Sequence, residues 1–317
     1  MPKTRPKSSS AVQISVVTPA FNEAPNLPLL YNRLKKALDK LHLRWEWIVV
    51  DDHSADETYR VMESIARKDK RVRVLRFSKN SGSHLALACA LKEAKGQCAV
   101  GMAADLQDTP ETIGKLYAKW KGGAKVVWAV RGEREGESFS TVFFARLYYF
   151  TVRYGVGLKQ IPPTGADFFL LDRVVINRLA QAQVRNASIL LLICSFGFRQ
   201  DYITYTKRQR AHGKTGWSLK KKLKLFFDSI TMFSKAPIYW AWGVGLALVG
   251  TGSGGAVRSA MGWGFSGLGI VLMAAGLAFL GLGMFLFIRL TSPVEETLFS
   301  IEKGTDHKKS TNWKNNL

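Results

Sequence analysis

The chain of 317 residues carries 46 lysines and arginines against 24 aspartates and glutamates, a formal net charge of +22. This length allows one large domain or two modest ones, and the charge predicts an anionic partner: nucleic acid, an anionic membrane surface or a phosphorylated substrate. The cysteines, Cys89, Cys98 and Cys194, show neither close pairing nor metal-finger spacing. This spacing argues against a disulfide framework or a structural zinc site and favours a reducing compartment.

Short β-rich runs alternate with amphipathic stretches over residues 12–130, after a basic segment at 1–11 that we expect to be a disordered tail. Because this segment has no apolar run behind it, it does not resemble a secretory signal. The alternation predicts strands and crossover helices around a parallel sheet. The predicted strands are VQISVVT, EWIVV, VRVLRF, QCAVGMA and AKVVWAV, and the predicted helices span 27–41, 58–68, 84–94 and 110–120.

Polar residues follow the first four predicted strands, in the segments PAFNE, DDHSAD, SKNSGS and DLQD. Each segment alone is typical of an ordinary turn or helix cap. A parallel sheet, however, binds its ligands at the carboxyl ends of its strands. Four such segments in series therefore predict a cleft that suits a nucleotide.

An apolar stretch occupies residues 236–288, where Arg258 is the only charged residue. A membrane span needs roughly 20 apolar residues at helical rise. Residues 237–257 and 264–288 each supply that length, and their many glycines would let two helices pack closely. We expect a transmembrane hairpin, because a buried hairpin in a soluble protein would need a much larger core around it.

Basic residues flank the hairpin on both sides. The segment 207–235 holds nine lysines and arginines against the single acid Asp228, and the tail 290–317 holds further lysines. The positive-inside rule therefore places both flanks in the cytoplasm. Apolar residues at helical spacing predict an interfacial helix at 216–235, and the aromatic stretch 139–157 could lie on the membrane in the same way.

The segments VVTPAFNEAPNL, WIVVDDHSADET, NSGSHLALACAL and ADLQDTPE occur in this order and resemble the motifs of family 2 glycosyltransferases. More narrowly, the chain resembles polyprenyl-phosphate and dolichyl-phosphate glycosyltransferases, whose later motifs are similar to TGADFFLLDR and to the basic segment that begins KRQRAHGKTGWS. The resemblance implies a Rossmann-like nucleotide-sugar-binding α/β domain of glycosyltransferase A type. This domain would span 12–215, followed by the interfacial helix, two transmembrane helices at 236–289 and a cytoplasmic tail at 290–317.

The resemblance also implies a set of donor-binding and metal-binding residues. Asp105, helped by Gln107, would bind a divalent cation, Mg²⁺ or Mn²⁺, that bridges the donor pyrophosphate. The commoner family motif is Asp-Ala-Asp, and Ala103 stands where its first carboxylate would be, so one ligand is missing. Asp108 is either a cap for the following helix or a second metal contact. The base and ribose of the donor would be held by the first three loops, with Pro19, Phe21, Asn22, Glu23, Asp51, Asp52, Ser81 and Gly82.

Charge that develops on the leaving nucleoside diphosphate needs a cation placed beside it, whether a metal or a side chain. Arg131 follows a strand at the edge where the ligand would bind, and Asp167 would orient the acceptor. His84 and His212 are candidates for a base, although lone histidines are more often structural. The other cationic candidates are Arg134, Lys207, Arg208 and Arg210.

The resulting hypothesis is an integral protein of the bacterial inner membrane, with its catalytic domain and both termini in the cytoplasm. It would transfer one sugar from a UDP- or GDP-sugar to a polyprenyl phosphate, in contact with membrane lipids, with no nucleic acid as partner and with a homo-oligomer left open. Three alternatives stand beside it: a membrane-tethered polyanion-binding protein, a catalytically silent homologue and a processive polysaccharide synthase. The last would be expected to carry a Gln-x-x-Arg-Trp segment, which this sequence lacks.

Overall fold

The strands and helices predicted for residues 12–130 are all present in the structure, a computed structural model. Their ends differ from the predicted ends by no more than two residues, except that the first three residues of the predicted helix 110–120 form a 3₁₀ turn and the α-helix begins at Ile113. The structure describes residues 12–132, 153, 161–162, 167–182, 189–208, 236–261, 267–291 and 301–305. Outside these described residues lie Arg134, Arg210, His212, the tail 1–11, the interfacial helix 216–235 and the aromatic stretch 139–157 except Arg153.

Within the described residues, strands and helices alternate along most of the chain. The strands are β1 (Ile14–Ala20), β2 (Trp45–Asp51), β3 (Val72–Phe77), β4 (Cys98–Gly101), β5 (Val126–Arg131), β6 (Phe168–Asp172), β7 (Gln200–Tyr205) and β8 (Ile301–Gly304). The α-helices are α1 (Leu27–Lys40), α2 (Thr58–Lys68), α3 (Ser83–Glu93), α4 (Ile113–Lys121, after a 3₁₀ turn at Pro110–Thr112), α5 (Arg173–Gln181), α6 (Ile189–Ser195), α7 (Ala236–Ala260) and α8 (Gly267–Thr291).

The strands form one eight-stranded sheet in the order β7-β5-β6-β4-β1-β2-β3-β8. Strands β4, β1, β2 and β3 pair in parallel, as the alternation with helices predicts. The expectation of a parallel sheet is nevertheless wrong for the whole sheet, because β6 lies between β4 and β5 and runs antiparallel to both. Four of its five residues are buried, which suits a central strand covered on both faces.

A second antiparallel strand, β8, covers the other end of the sheet beside β3. The sequence places these residues in the predicted C-terminal tail, since four residues with two charges carry no recognisable strand pattern. Its pairing with β3 brings part of the segment that follows the apolar helices back to the sheet. Residues 301–305 therefore contribute to the folded α/β domain.

The core fills the face of the sheet covered by α1. Leu27, Leu30, Leu34 and Leu38 follow one another at helical spacing and are completely buried. On β4, Gly101 lies against the ring of Phe169, and a methyl group added there would come within 2.5 Å of that ring. A glycine is therefore required where β6 packs beside the strand that leads into the DLQD segment.

A polar cluster ties α1, β2 and the end of α2 together. The Asp69 carboxylate accepts hydrogen bonds from the Arg71 side chain at 2.8 and 3.0 Å and from the Tyr31 hydroxyl at 2.8 Å. The Arg71 guanidinium also lies 4.0 Å from the ring centre of Trp45. Hydrogen bonds from Arg71 lower the pKa of Asp69 to about 2. The ionised carboxylate is thereby favoured in the folded state.

Helices α7 and α8 form a compact unit of their own, separate from the unit that contains the sheet. Their backbones approach closely at glycines: a Cβ atom on Gly252 would lie 2.5 Å from the Gly269 carbonyl oxygen, and one on Gly276 would lie 2.7 Å from that of Gly245. Small residues allow this kind of packing between apolar helices. The expectation that glycines permit close packing is confirmed.

One helix among the described residues, over Gly267–Ile288 in α8, is long and apolar enough to cross a membrane. The second half of α7 reads GTGSGGAVRSA, and its glycines, hydroxyl groups and Arg258 lower its hydropathy. Both predicted helices therefore form, whereas a hairpin of two spans stays a prediction.

The Asp69 cluster predicts an acid-dependent loss of stability. A folded-state pKa near 2 against an ordinary 3.8 corresponds to about 2 kcal/mol of stabilisation, present above pH 4 and lost as the pH falls towards 2. We expect Asp69→Asn to lower the free energy of unfolding by about that amount at pH 7, with a gap to wild type that narrows below pH 4.

Glu57→Gln serves as the control. The ion pair between Glu57 and Arg60 is largely exposed, so its loss should change the free energy of unfolding by less than about 0.5 kcal/mol. Thermal and denaturant unfolding of the purified proteins across this pH range measures both effects. Equal stability of Asp69→Asn and wild type at pH 7 would contradict the role given to this carboxylate.

Candidate functional site

The direction of the strands brings the candidate residues to one edge of the sheet. Strands β1, β2, β3, β4, β5 and β7 all run the same way, so their carboxyl ends lie along that edge. The antiparallel strand β6 begins there, directly after Asp167. Every described candidate named from the sequence therefore lies at or beside this edge.

The loop after β1 is fastened to the loop after β2. Asn22 adopts a left-handed backbone conformation with φ of 55°, and its N–H donates to the Ser54 hydroxyl at 2.9 Å. Its side-chain oxygen accepts a hydrogen bond from the Ala55 N–H at 2.9 Å, and the Glu23 N–H donates to the Thr58 hydroxyl at 2.8 Å. These bonds give the PAFNE loop a defined shape. The loop begins with Pro19 inside β1, and the Phe21 side chain is exposed.

Asp51 closes β2 and is completely buried. One of its oxygens accepts a hydrogen bond from the Ser54 N–H at 3.0 Å, and the other pairs with the Arg76 guanidinium at 2.8 Å. Arg76 also donates to the Ser54 carbonyl oxygen at 3.1 Å. Asp51 thus organises the loop that supports Asn22, in addition to any contact with a ligand.

Asp52 fixes a third loop. Its carboxylate accepts hydrogen bonds from the N–H groups of Ser81 and Gly82 at 2.6 and 2.9 Å. Burial raises the pKa of Asp52, and the two N–H donors oppose that change. Gly82 has φ of 94°, a conformation that favours glycine, and helix α3 starts at the next residue. The aspartate pair therefore connects the loops after β1, β2 and β3.

The DLQD segment makes a strained turn after β4. Asp105 is buried, and one of its carboxylate oxygens accepts a hydrogen bond from the Gln107 N–H at 3.1 Å. Leu106, between them, has φ of 62°, which costs a leucine about 1–3 kcal/mol, and its buried side chain in the core holds it there. Oxygen ligands of this kind suit a hard divalent cation. No group of three or more His, Cys, Asp or Glu side chains able to hold a metal exists among the described residues.

Asp108 does not cap the following helix, so that interpretation of the sequence is wrong. The residue before the 3₁₀ turn is Thr109, and the completely buried Asp108 carboxylate instead accepts hydrogen bonds from the Ala103 N–H at 3.3 Å and the Tyr205 hydroxyl at 2.5 Å. Burial raises the pKa of Asp108, against the effect of the Lys207 ammonium 3.9 Å away. Burial likewise raises the pKa of Tyr205, which keeps its hydroxyl protonated as a donor. Asp108 therefore ties the DLQD turn to the end of β7.

Two cations approach Asp167 from neighbouring strand ends. The Arg131 guanidinium lies 3.1 Å from the Asp167 carboxylate and the Lys207 ammonium lies 4.0 Å from it. The Arg208 N–H donates to the Gln107 carbonyl oxygen at 3.0 Å, which places the start of the KRQR segment against the metal-candidate turn. Asp167 is largely exposed and both cations retain some exposure, so an incoming phosphate could contact this group.

Sequence reasoning missed two residues that hold the site together, Arg76 and Tyr205. Arg76 lies within the strand pattern VRVLRF, where a charged residue is typical of a solvated face, and Tyr205 ends a strand that the sequence pattern did not predict.

Burial lowers the pKa of His84, which leaves its imidazole neutral at neutral pH.

The bond between Tyr205 and Asp108 supports a stability prediction. Tyr205→Phe leaves a buried carboxylate with one hydrogen-bond donor fewer, and we expect the free energy of unfolding to fall by about 1–3 kcal/mol. Tyr202→Phe, on the same strand with 66% of its surface exposed, should change it by less than about 0.5 kcal/mol. Denaturant unfolding of the purified variants measures the difference, and equal effects of the two substitutions would contradict the assignment.

Comparison with known proteins identifies the family. The model described as "Glycosyl transferase family 2" matches residues 15–180. The chain is similar to the uncharacterized glycosyltransferase YkcC of Bacillus subtilis, with 35% identity over 244 residues that cover 77% of this chain and 75% of that protein. It is also similar to undecaprenyl-phosphate 4-deoxy-4-formamido-L-arabinose transferase of Pseudomonas fluorescens Pf-5, with 28% identity over 241 residues, 76% of this chain and 70% of that one.

The fold is similar to that of a solved structure described as a mycobacterial protein, with 17% sequence identity, a TM-score of 0.50 and coverage of 69% of this chain and 73% of that one. At this identity the likeness concerns the fold alone. Together with the family match, the mixed α/β sheet corresponds to the glycosyltransferase A type of fold. The chain belongs to glycosyl transferase family 2 and is a glycosyltransferase.

Proposed function

We propose that this glycosyltransferase moves a single sugar from a nucleotide-sugar donor, a UDP- or GDP-sugar, to a polyprenyl phosphate, with inversion at the anomeric carbon. The observation that carries the proposal is the meeting of the Asp105 turn with Arg131, Asp167 and Lys207 at one sheet edge. Two phosphate-bearing substrates have to meet in such a reaction, and both cations are available there. The relative named as an undecaprenyl-phosphate transferase supports the lipid acceptor.

The donor nucleotide would bind where the first three loops are fastened to one another. Asp51 and Asp52 hold these loops in shape, and each carboxylate retains lone pairs beyond the hydrogen bonds it accepts from the protein. Asn22, Glu23 and Phe21 line the first loop, where an exposed aromatic ring and polar groups suit a base and a ribose. The loops are thus arranged before the donor binds, which reduces the entropy lost on binding.

Asp105 and Gln107 would hold a divalent cation, Mg²⁺ or Mn²⁺. One carboxylate and one amide fit a cation that takes most of its ligands from substrate phosphates and water, as Mg²⁺ does. When bound, the cation would neutralise charge on the leaving nucleoside diphosphate. Ala103, in place of a first carboxylate, leaves this set with few protein ligands and predicts a modest affinity for the metal in the absence of donor.

The acceptor phosphate would be held by Arg131 and Lys207. A phosphate monoester has a second pKa of about 6, so at neutral pH it is largely a dianion and needs no general base. One of its oxygens would attack the anomeric carbon as the bond to the leaving diphosphate oxygen breaks, and no covalent enzyme intermediate forms. Asp167, which pairs with both cations, would position them for the phosphate.

The same proposal includes an integral location in the bacterial inner membrane. Helix α8 supplies a segment able to cross a bilayer, and the basic segments before and after the apolar helices favour cytoplasmic flanks. A second span in α7 and an interfacial helix at 216–235 belong to this proposal. They would keep the site at the surface from which a polyprenyl phosphate presents its head group.

A panel of nucleotide sugars tests the reaction. Membranes that contain the protein are incubated with each UDP- or GDP-sugar and a polyprenyl phosphate, and the lipids are analysed by mass spectrometry. We expect one donor to give a lipid that is heavier by one sugar. No product from any donor, with protein verified to be folded, would overturn the proposal and favour a catalytically silent homologue. Salt-sensitive binding of polyanions without transfer would favour the tethered polyanion-binding protein.

Asp105→Asn tests the metal-binding turn. The substitution keeps the side-chain shape but removes the charge, and we expect turnover to fall at least about 100-fold because charge on the leaving group is no longer compensated. Asp201→Asn is the control, since Asp201 lies at the opposite end of β7 and pairs with Lys119. Normal turnover in Asp105→Asn would remove this carboxylate from the site.

Chelation tests the cation independently of mutagenesis. We expect a chelator to abolish transfer and added Mg²⁺ or Mn²⁺ to restore it, since the protein alone offers too few ligands to retain the ion. Formation of the lipid-linked product is the readout, with the same ionic strength in every sample. Full turnover in the presence of chelator would contradict a cation requirement and would leave Arg131 and Lys207 to neutralise the leaving group.

A further inference from the structure

The C-terminal strand β8 reaches the edge of the sheet next to the proposed donor loops. Beyond the strand, the Thr305 N–H donates to the Val74 carbonyl oxygen at 3.0 Å, and the Thr305 hydroxyl accepts from the Val74 N–H at 3.0 Å. In the ladder Lys303 faces Arg76, but Ile301 faces Phe77, so Glu302 is an extra residue on β8. Bulges of this kind redirect a side chain and are frequent beside active sites.

The Glu302 side chain lies beside Arg76, the arginine that pairs with Asp51 at the end of β2. A Glu302 carboxylate oxygen lies 3.5 Å from the Arg76 Nε and 4.0 Å from the His53 Nδ1. The same guanidinium pairs with Asp51 at 2.8 Å and donates to the Ser54 carbonyl oxygen at 3.1 Å. Arg76 is therefore held on one side by the aspartate that ends β2 and on the other by a residue more than 200 positions later in the chain.

Loss of the Glu302–Arg76 pair would also affect the PAFNE loop after β1. Ser54, which Arg76 holds through its carbonyl, accepts the hydrogen bond from the Asn22 N–H. The Arg76 side chain is mostly buried, so a guanidinium that lost one of its two carboxylates would remain in place but with more freedom to turn away from Ser54. Asn22 and the PAFNE loop would then be less well ordered before the donor arrives.

We propose that Glu302 is a positioning residue for the nucleotide part of the donor, acting through Arg76 on Asp51, Ser54 and the Asn22 loop. This inference rests on the proposed function, since it concerns the same donor site. It makes the C-terminal segment part of the nucleotide-binding edge. The segment beyond the apolar helices would then contribute to substrate recognition as well as to the sheet.

Simple electrostatics predicts the opposite outcome for the test variant. Glu302→Gln removes a negative charge near the proposed site of an anionic nucleotide, and long-range attraction alone would then strengthen nucleotide binding. Loss of positioning would weaken it. Lys303→Gln removes a positive charge, so a loss of long-range attraction alone would weaken binding. Because this variant leaves the Glu302–Arg76 pair intact, the positioning role predicts no change. The two variants therefore separate the two causes.

The experiment uses the full-length protein and titrates UDP and GDP by calorimetry, followed by steady-state kinetics with the donor that gives product. For Glu302→Gln we expect a Kd for the nucleotide and a KM for the donor about three- to fivefold higher, with kcat, the KM for polyprenyl phosphate and the unfolding temperature unchanged. Lys303→Gln should match wild type. The double variant Glu302→Gln/Lys303→Glu should recover the affinity, because residue 303 directly faces Arg76 and returns a carboxylate to it.

The outcomes distinguish the two proposals. If the wild-type protein binds neither UDP nor GDP and transfers no sugar, the proposed function fails and this inference fails with it. If wild type binds a nucleotide and Glu302→Gln binds it equally well or more tightly, the inference fails and the proposed function stands. A lower unfolding temperature in Glu302→Gln without recovery in the double variant would assign Glu302 a purely structural role.

Discussion

The parallel pairing of β1 with β2 is the constraint on which the site depends. In this register Ala20 lies opposite Asp51, so the two strands end at the same level and their loops start side by side. The loop after β1 can then form hydrogen bonds with the loop after β2, and Asp52 can accept a hydrogen bond from the loop after β3. Both strands are buried along almost their whole length, so a one-residue slip would exchange the side chains packed on the two faces of the sheet and would also move the two loops out of step. The core and the site are therefore specified together.

The carboxylates that hold this edge together are buried and accept hydrogen bonds from neighbouring loops. Asp51, Asp52 and Asp108 each accept hydrogen bonds from neighbouring loops, and such groups are costly to leave unpaired. The consequence is a rigid frame around the groups with access to solvent, above all Arg131 and Asp167. A site arranged in this way can compensate developing charge without rearrangement during the reaction.

Sequence reasoning predicted the elements up to residue 130 and placed Asp105 at the end of β4, because alternating patterns and strand-end polar segments are local signals. It could not predict β6 between β4 and β5, since the run FFLLD says nothing about its partners. Of the two roles considered for Asp108, the helix cap is wrong: the nearby proline suggested it, whereas the hydrogen-bond partner Tyr205 is 97 residues away. Arg76 and Glu302 meet only through pairing at the sheet edge, for which neither segment carries a signal.

The central claim is that one sugar is transferred with inversion to a lipid phosphate, and the structure of the isolated product tests it most directly. NMR analysis of the purified lipid should show a single sugar joined through its anomeric carbon to the phosphate, with the anomeric configuration opposite to that of the donor. A product with retained configuration, with several sugars in a chain, or with the sugar on any group other than the lipid phosphate would contradict it.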